Sequence, residues 1–170
     1  GDTKGYVVED DKILCKPGGN LYTAEEYADF HYRFDFKLTP GANNGLGIRT
    51  PSKGDAAYAG MELQILDNTA DKFKNLRPYQ YHGSIYGMVP AHRGYLRPVG
   101  EWNYQEVTVV GSRIKVELNG TVIVDGDVSK VTEYMGGSPH PGKDRKSGHF
   151  GFAGHNSPVM YRNIAIKRLD

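Results

Sequence analysis

Glu62 and Asp67 stand five positions apart in the run Glu62-Leu63-Gln64-Ile65-Leu66-Asp67. In a regular strand that spacing sends the two carboxyls to opposite faces; a bulge near Leu66 would bring Asp67 round to the face of Glu62. Two carboxyls roughly 5 Å apart can work as nucleophile and acid in a retaining glycosidase. Gln64 shares the face of Glu62. Arg49, Tyr86 and His155 likewise lie opposite the apolar residues of their own segments. Around them fall Gly47, Gly60, Gly83, Gly87, Gly151, Ala153 and Gly154, and small residues beside large polar ones on one sheet face leave room for a ligand.

Each of these residues also has a plain structural reading. Glu62 with Arg49 makes an ordinary cross-strand ion pair, worth little at a surface. Gln64 can satisfy neighbouring polar groups, and His155 can bond within its Gly-His-Asn turn. Trp102, the single tryptophan, is either core or a platform for a sugar ring. Arg162 shares its parity with Ile164 and Ile166 and reads as a structural pairing. His31, His92 and His140 read as surface residues, and no two histidines have the spacing of a helical metal motif.

The elements that must position these groups are strands. Period-2 alternation runs through Phe30 to Thr39, Gly45 to Thr50, Met61 to Asp67, Ser84 to Val89, Trp102 to Val110 and Arg113 to Asp125. It continues through the segment of Phe150 and Phe152 and through Val159 to Leu169. Leu118-Asn119-Gly120-Thr121 is a two-residue hairpin signal, because a type I′ turn needs positive φ at both central positions. Only Thr23 to Ala28 and Ser129 to Met135 suit short helices. Turns recur between the strands, which predicts an all-β, two-sheet antiparallel sandwich over residues 1–170 as one domain. Two long polar segments, Asn68 to Gly83 and Gly136 to Gly148, read as functional lips or mobile loops.

Composition agrees. The 22 Gly and 9 Pro exceed ordinary usage, and 12 Tyr suit half-buried strand faces. A net charge of +1 lacks the basic stripe that nucleic acid calls for. No apolar run is long enough for a membrane-spanning helix. The one cysteine, Cys15, permits no intrachain disulfide and reads as a small buried hydrophobe.

Several segments in order resemble the 3-keto-disaccharide hydrolase family, of the concanavalin-like glucanase and lectin superfamily. They include Gly19-Asn20-Leu21-Tyr22-Thr23, Asn43-Asn44-Gly45-Leu46-Gly47-Ile48-Arg49 and Gly60 to Asn68. Gly83-Ser84-Ile85-Tyr86, Gly100-Glu101-Trp102-Asn103 and Tyr161-Arg162-Asn163-Ile164 complete the pattern. The Glu62 to Asp67 run is also similar to the E-x-D-x-x-E strand of laminarinase-type glucanases, with Gln64 in place of the middle acid and Asp67 in place of the last.

The family resemblance implies a concanavalin-like jelly roll, a carbohydrate ligand, and an extracytoplasmic setting: periplasmic, secreted or surface-anchored through a preceding segment. It also implies cleavage of glycosides oxidised at C3. A C3 ketone acidifies the C2 proton, so a base can remove it, the C1 substituent can leave, and water can add back. His155 or Glu62 is then the base, Arg49 or a bound metal the electrophile, and Asp67 or Tyr86 the acid. The catalytic set on this reading is Glu62, His155 and Asp67. The substrate-binding set is Arg49, Gln64, Tyr86 and Trp102, joined by Asn44 and Asn68 from within the motifs. Glu62, Gln64 and His155 are also candidate ligands for a divalent cation, though no cofactor is fixed by the sequence. The alternatives are a non-catalytic carbohydrate-binding module and a retaining β-glucanase using Glu62 and Asp67.

Overall fold

The computed structural model describes residues 5–17, 19–155 and 157–170. Eleven strands run in chain order: β1 Tyr6–Glu9, β2 Lys12–Cys15, β3 Asn20–Tyr27, β4 Phe30–Leu38, β5 Asn43–Thr50 and β6 Met61–Leu66. They continue with β7 Trp102–Val110, β8 Arg113–Leu118, β9 Thr121–Asp127, β10 Gly148–Gly154 and β11 Val159–Arg168. One short helix, α1 (Ala56–Ala59), precedes β6 and is capped by the Asp55 side chain. A seven-stranded sheet has the order β1-β2-β11-β4-β7-β8-β9, and a four-stranded sheet has the order β3-β10-β5-β6. Every pairing is antiparallel. The expected all-β sandwich is the observed architecture.

The alternation in the sequence accounts for the core. Phe30, Tyr32, Phe34, Phe36 and Leu38 of β4 are all buried, while Arg33 between them is exposed. They face Leu46 and Ile48 of β5, Leu63 and Ile65 of β6, and Phe150 and Phe152 of β10. Ring contacts join the two sheets: Phe34 meets Phe152 edge-on at 5.9 Å, and Phe152 stacks on Tyr161 at 3.7 Å. Such pairs add about 0.5–1.5 kcal/mol each beyond the area they bury. Asn119 (φ 51) and Gly120 (φ 87) close the β8–β9 hairpin with positive φ at both positions, as expected.

Three local expectations are corrected. Thr23 to Ala28 is extended, most of it in β3, because its pairing with β10 outweighs a weak local helical pattern. Of Ser129 to Met135, only the start is helical, in a single 3-10 turn at Val128–Lys130. Ser84 to Val89 forms no continuous strand. Two isolated bridges, Leu63 to Ile85 and Ile85 to Val89, tie it to β6 and fold it back on itself.

Candidate active site

The register of the four-stranded sheet builds a trough on its outer face. Tyr22 of β3 pairs with Gly151 of β10, Gly151 with Gly47 of β5, and Gly47 with Glu62 of β6. The next row runs Asn20, Ala153, Gly45 and Gln64. Tall polar residues thus occupy the two outer strands and small ones the two central strands. Three interstrand spacings separate the walls by roughly 14 Å. The segment after residue 83 extends the β6 wall, because Tyr86 N–H donates to Glu62 O at 2.8 Å and Gln64 N–H to Ser84 O at 3.0 Å.

Glu62 and His155 meet in this trough. His155 Nε2 lies 3.3 Å from Glu62 Oε1. The Glu62 side chain is only 3% exposed, and that of His155 is 43% exposed. Burial raises the pKa of Glu62, with His155 acting against it. The hydrogen bond to Glu62 raises that of His155, with burial acting against it. A buried carboxyl therefore backs a half-open imidazole, which is the arrangement of an oriented general base. Gly45 is required beneath it: a Cβ there would overlap Glu62 Oε1 and lie 2.6 Å from Glu62 Cγ.

Around the pair stand two phenols held alike. Tyr22 OH accepts a hydrogen bond from Asn20 Nδ2 at 2.9 Å, and Tyr86 OH accepts one from Gln80 Nε2 at 3.1 Å. Each phenol accepts from an amide, so its own proton is available to donate. Burial raises the Tyr22 pKa and keeps it protonated. Gln64 donates through Nε2 to Gln80 O at 3.2 Å, while its buried Oε1 has no partner. An unpaired buried acceptor of this kind costs about 1–3 kcal/mol. Tyr58 meets the ring of Tyr86 edge-on at 6.5 Å, and its pKa is raised first by burial and then by Tyr86, Asp55 and Glu62.

Of the nine residues picked from the sequence, Glu62, Gln64, Tyr86 and His155 come together here, and five do not. Arg49 is a correction: it is the extra residue of a bulge, since Gly47 and Thr50 of β5 pair with Gly151 and His149 of β10. Its φ of 49° carries the side chain off the outer face. There Nε and Nη2 donate to Ala28 O, Nη1 to Gly111 O and Arg145 O, and Nη2 to Asp29 at 3.0 Å. Arg49 is 2% exposed and knits three loops together; Glu62 pairs with His155 instead. Burial lowers the guanidinium pKa, and Asp29 opposes that shift.

Asp67 is likewise diverted from Glu62. It lies beyond the end of β6, where Oδ2 accepts from Gly41 N–H and Oδ1 from the backbone and hydroxyl of Thr69. These bonds outweigh desolvation and lower its pKa, so it braces a turn as a fixed carboxylate. Asn44 has core parity and is wholly buried, donating to Cys15 Sγ and accepting from Tyr161 OH at 2.8 Å. Asn68 Oδ1 accepts from His82 N–H at 2.9 Å and holds the loop that follows β6. Trp102 lies on the outer face of the other sheet, with Arg162 over its ring at 3.9 Å and Lys37 at 5.1 Å. Arg162 pairs with Asp35 at 3.1 Å, as expected.

Sequence reasoning missed Asn20, Tyr22, Tyr58 and Gln80. For the first two the signal was present in the alternation of Asn20 and Tyr22 around Leu21, obscured by the helical reading that began at Thr23. His140 is a further correction, buried rather than at the surface: Nε2 donates to Ala57 O at 2.6 Å and Nδ1 accepts from Gly142 N–H. Among the described residues, no three His, Cys, Asp or Glu side chains converge as a metal cluster. The cation-ligand reading thus rests on Glu62, His155 and the amide of Gln64.

Comparison with known proteins bears on this geometry. Residues 1–167 match the profile of the 3-keto-alpha-glucoside-1,2-lyase-like domain. The chain is 25% identical over 190 aligned positions to a 3-keto-disaccharide hydrolase of Bacteroides thetaiotaomicron, covering 90% of this chain and 63% of that protein. The crystal structure of a Parabacteroides distasonis protein, provisionally named a glycosyl hydrolase, superimposes with a TM-score of 0.90 at 27% identity. That match covers 99% of this chain and 92% of the other. A carbohydrate-binding module from Bacillus subtilis, at 13% identity and a TM-score of 0.60, shares the fold.

Proposed function

The chain belongs to the 3-keto-alpha-glucoside-1,2-lyase-like domain family, and from that premise we propose that it cleaves 3-keto-glycosides by elimination followed by hydration. The observation that carries this reading is the Glu62–His155 pair at 3.3 Å, over the small residues Gly45 and Ala153 of the neighbouring strands. His155, the exposed member, takes the C2 proton, and Glu62 stabilises the imidazolium that forms. The C–H electrons become the enolate, with negative charge on the C3 oxygen, where the Tyr22 hydroxyl supplies a hydrogen bond. The enolate then expels the C1 oxygen, leaving a C1–C2 double bond, and Tyr86 protonates the departing alkoxide. Water adds across that bond: its oxygen goes to C1, its proton returns to Tyr86, and the imidazolium gives a proton back to C2. Both side chains end as they began.

A retaining glycosidase mechanism needs a second carboxyl near Glu62, and Asp67 is spent on Gly41 and Thr69. An extracytoplasmic setting belongs to the same proposal and is checked by cell fractionation. The direct test is turnover of a 3-keto-glucoside beside its unoxidised parent. Cleavage of the keto substrate alone is expected, falling about 10²–10⁴-fold in Glu62→Gln and in His155→Ala with the fold intact. Cleavage of the parent at a comparable rate, or full activity in either variant, would overturn the assignment. Binding of sugars with no cleavage of either substrate would leave a carbohydrate-binding module.

A further inference from the structure

A cleft of about 220 Å³ opens against Tyr58, the residue whose ring meets that of Tyr86. Its walls are the rings of Tyr58 and Tyr134, the side chain of Met135, and Pro139 and Pro141. Among the described residues, no charged side chain lines it. The polar groups present are largely occupied within the protein. Tyr134 OH donates to Val131 O at 2.6 Å, and Gly87 O accepts from Met135 N–H at 2.9 Å. Both ring nitrogens of His140 are taken by Ala57 O and Gly142 N–H, so His140 offers only its ring, stacked on Tyr58 at 5.8 Å and 21°. The hydroxyls of Ser138 and Tyr58 are the other polar groups at its wall.

The wall is built rather than draped. Gly87 has φ of 73°, and a Cβ there would press within 3.2 Å of Met135 Cβ, so the glycine lets the 134–141 segment seat against the turn that carries Tyr86. Tyr58 is the partition: one side of it lines this cleft, and its edge contact with Tyr86 faces the acid of the proposed reaction. Tyr86, the acid of the proposed reaction, is therefore one ring away from the cleft.

Resting on the reading above, we propose that this cleft is the leaving-group subsite, and that it accepts an apolar, planar aglycone such as an aryl ring in preference to a second sugar. A sugar presents hydroxyls on every edge, more than the hydroxyls of Ser138 and Tyr58 can partner, which costs about 1–3 kcal/mol for each one stranded. A flat ring buries apolar area against Tyr58, Met135 and the prolines with no such loss.

The test separates the subsite from the chemistry, because binding is measured without turnover. Phenyl and methyl glucosides of one anomer, neither oxidised, are titrated by ligand-observed NMR against the wild type, Met135→Ala and Ser138→Trp. The wild type is expected to bind the phenyl compound at least tenfold more tightly than the methyl one. Emptying the wall with Met135→Ala and filling the cleft with Ser138→Trp should each bring the ratio below threefold, with melting temperature checked in both. Equal affinities in the wild type, no measurable binding of the phenyl compound, or a ratio that survives in both variants would overturn the subsite. Failure to turn over any 3-keto-glucoside while the phenyl preference holds would remove the proposed reaction and leave the subsite standing.

Discussion

Gly45→Ala probes the site through one methyl group. Gly45 is not among the positive-φ glycines, so alanine meets no backbone penalty there. The added Cβ would lie 2.6 Å from Glu62 Cγ and still closer to the carboxyl. Carbon atoms in contact settle at about 3.5–4.0 Å, so the Glu62 side chain must retreat by about 1 Å or more. The bond to His155 already spans 3.3 Å, and lengthening it by that amount ends it. Two consequences can be read separately. In NMR titration of the wild type, His155 should titrate above its ordinary value of 6.5, because Glu62 holds the proton on it. In Gly45→Ala that pKa should fall back toward 6.5. Turnover of the keto substrate should drop roughly 10²-fold, the usual consequence of a 1 Å misplacement in a reacting constellation. Stability should fall as well, because the buried Glu62 carboxyl loses its partner, offset in part by the restriction alanine places on the unfolded chain, worth about 0.4–1 kcal/mol. A variant with wild-type turnover and an unmoved His155 titration would refute the role given to the Glu62–His155 pair.

The remaining predictions follow from residues whose positions were settled by packing. Arg49→Met should cost about 3–5 kcal/mol in urea denaturation, because Asp29 and three carbonyls lose a buried cationic partner. Trp102→Ala should leave turnover of the keto substrate within twofold of wild type (about 0.4 kcal/mol in barrier), since the ring lies on the outer face of the other sheet under Arg162 and Lys37. His82 is buried, stacks on Phe36 at 5.0 Å, and has its pKa pushed down by burial to about 4. The folded state therefore resists a proton that the unfolded chain accepts below its ordinary 6.5, so this stability is complete above pH 6.5 and is lost as pH falls toward 4. About 3 kcal/mol is at stake, read as the difference in pH dependence of urea unfolding between wild type and His82→Gln. Parallel curves for the two proteins would show that His82 is not the group responsible.

Much of the fold was legible because strand alternation is a local property. The core parity of Phe30 to Leu38, Leu46 and Ile48, and Leu63 and Ile65 follows from their spacing alone. So does the β8–β9 hairpin at Asn119-Gly120. The helical reading of Thr23 to Ala28 failed because the segment's tendency is weak and its pairing partner, β10, lies more than a hundred residues away.

The candidate site was legible in part, and for a definable reason. Parity gives the face of a strand to which a residue points, but it does not say to which sheet the strand belongs. Glu62 and Trp102 are both candidates for contact with a sugar by sequence, yet they occupy outer faces on opposite sides of the sandwich. Parity also fails at an irregularity: one inserted residue in β5 turned Arg49 from the trough into a staple for three loops. Hydrogen bonds beyond the end of β6 claimed both oxygens of Asp67.

By itself the sequence determined an antiparallel all-β chain, its apolar faces, its tight hairpin, and the polar residue types that could act on a sugar. These depend on period-2 spacing and on turn residues that need positive φ, both of which are written within a few neighbouring positions. The tertiary structure decided the rest. It brought His155 to Glu62 from 93 residues away, set Tyr22 and Asn20 across the glycine floor, and closed a cleft behind Tyr58 with the 134–141 segment. Those juxtapositions come from strand order and from loops seated on distant strands, which no local pattern encodes.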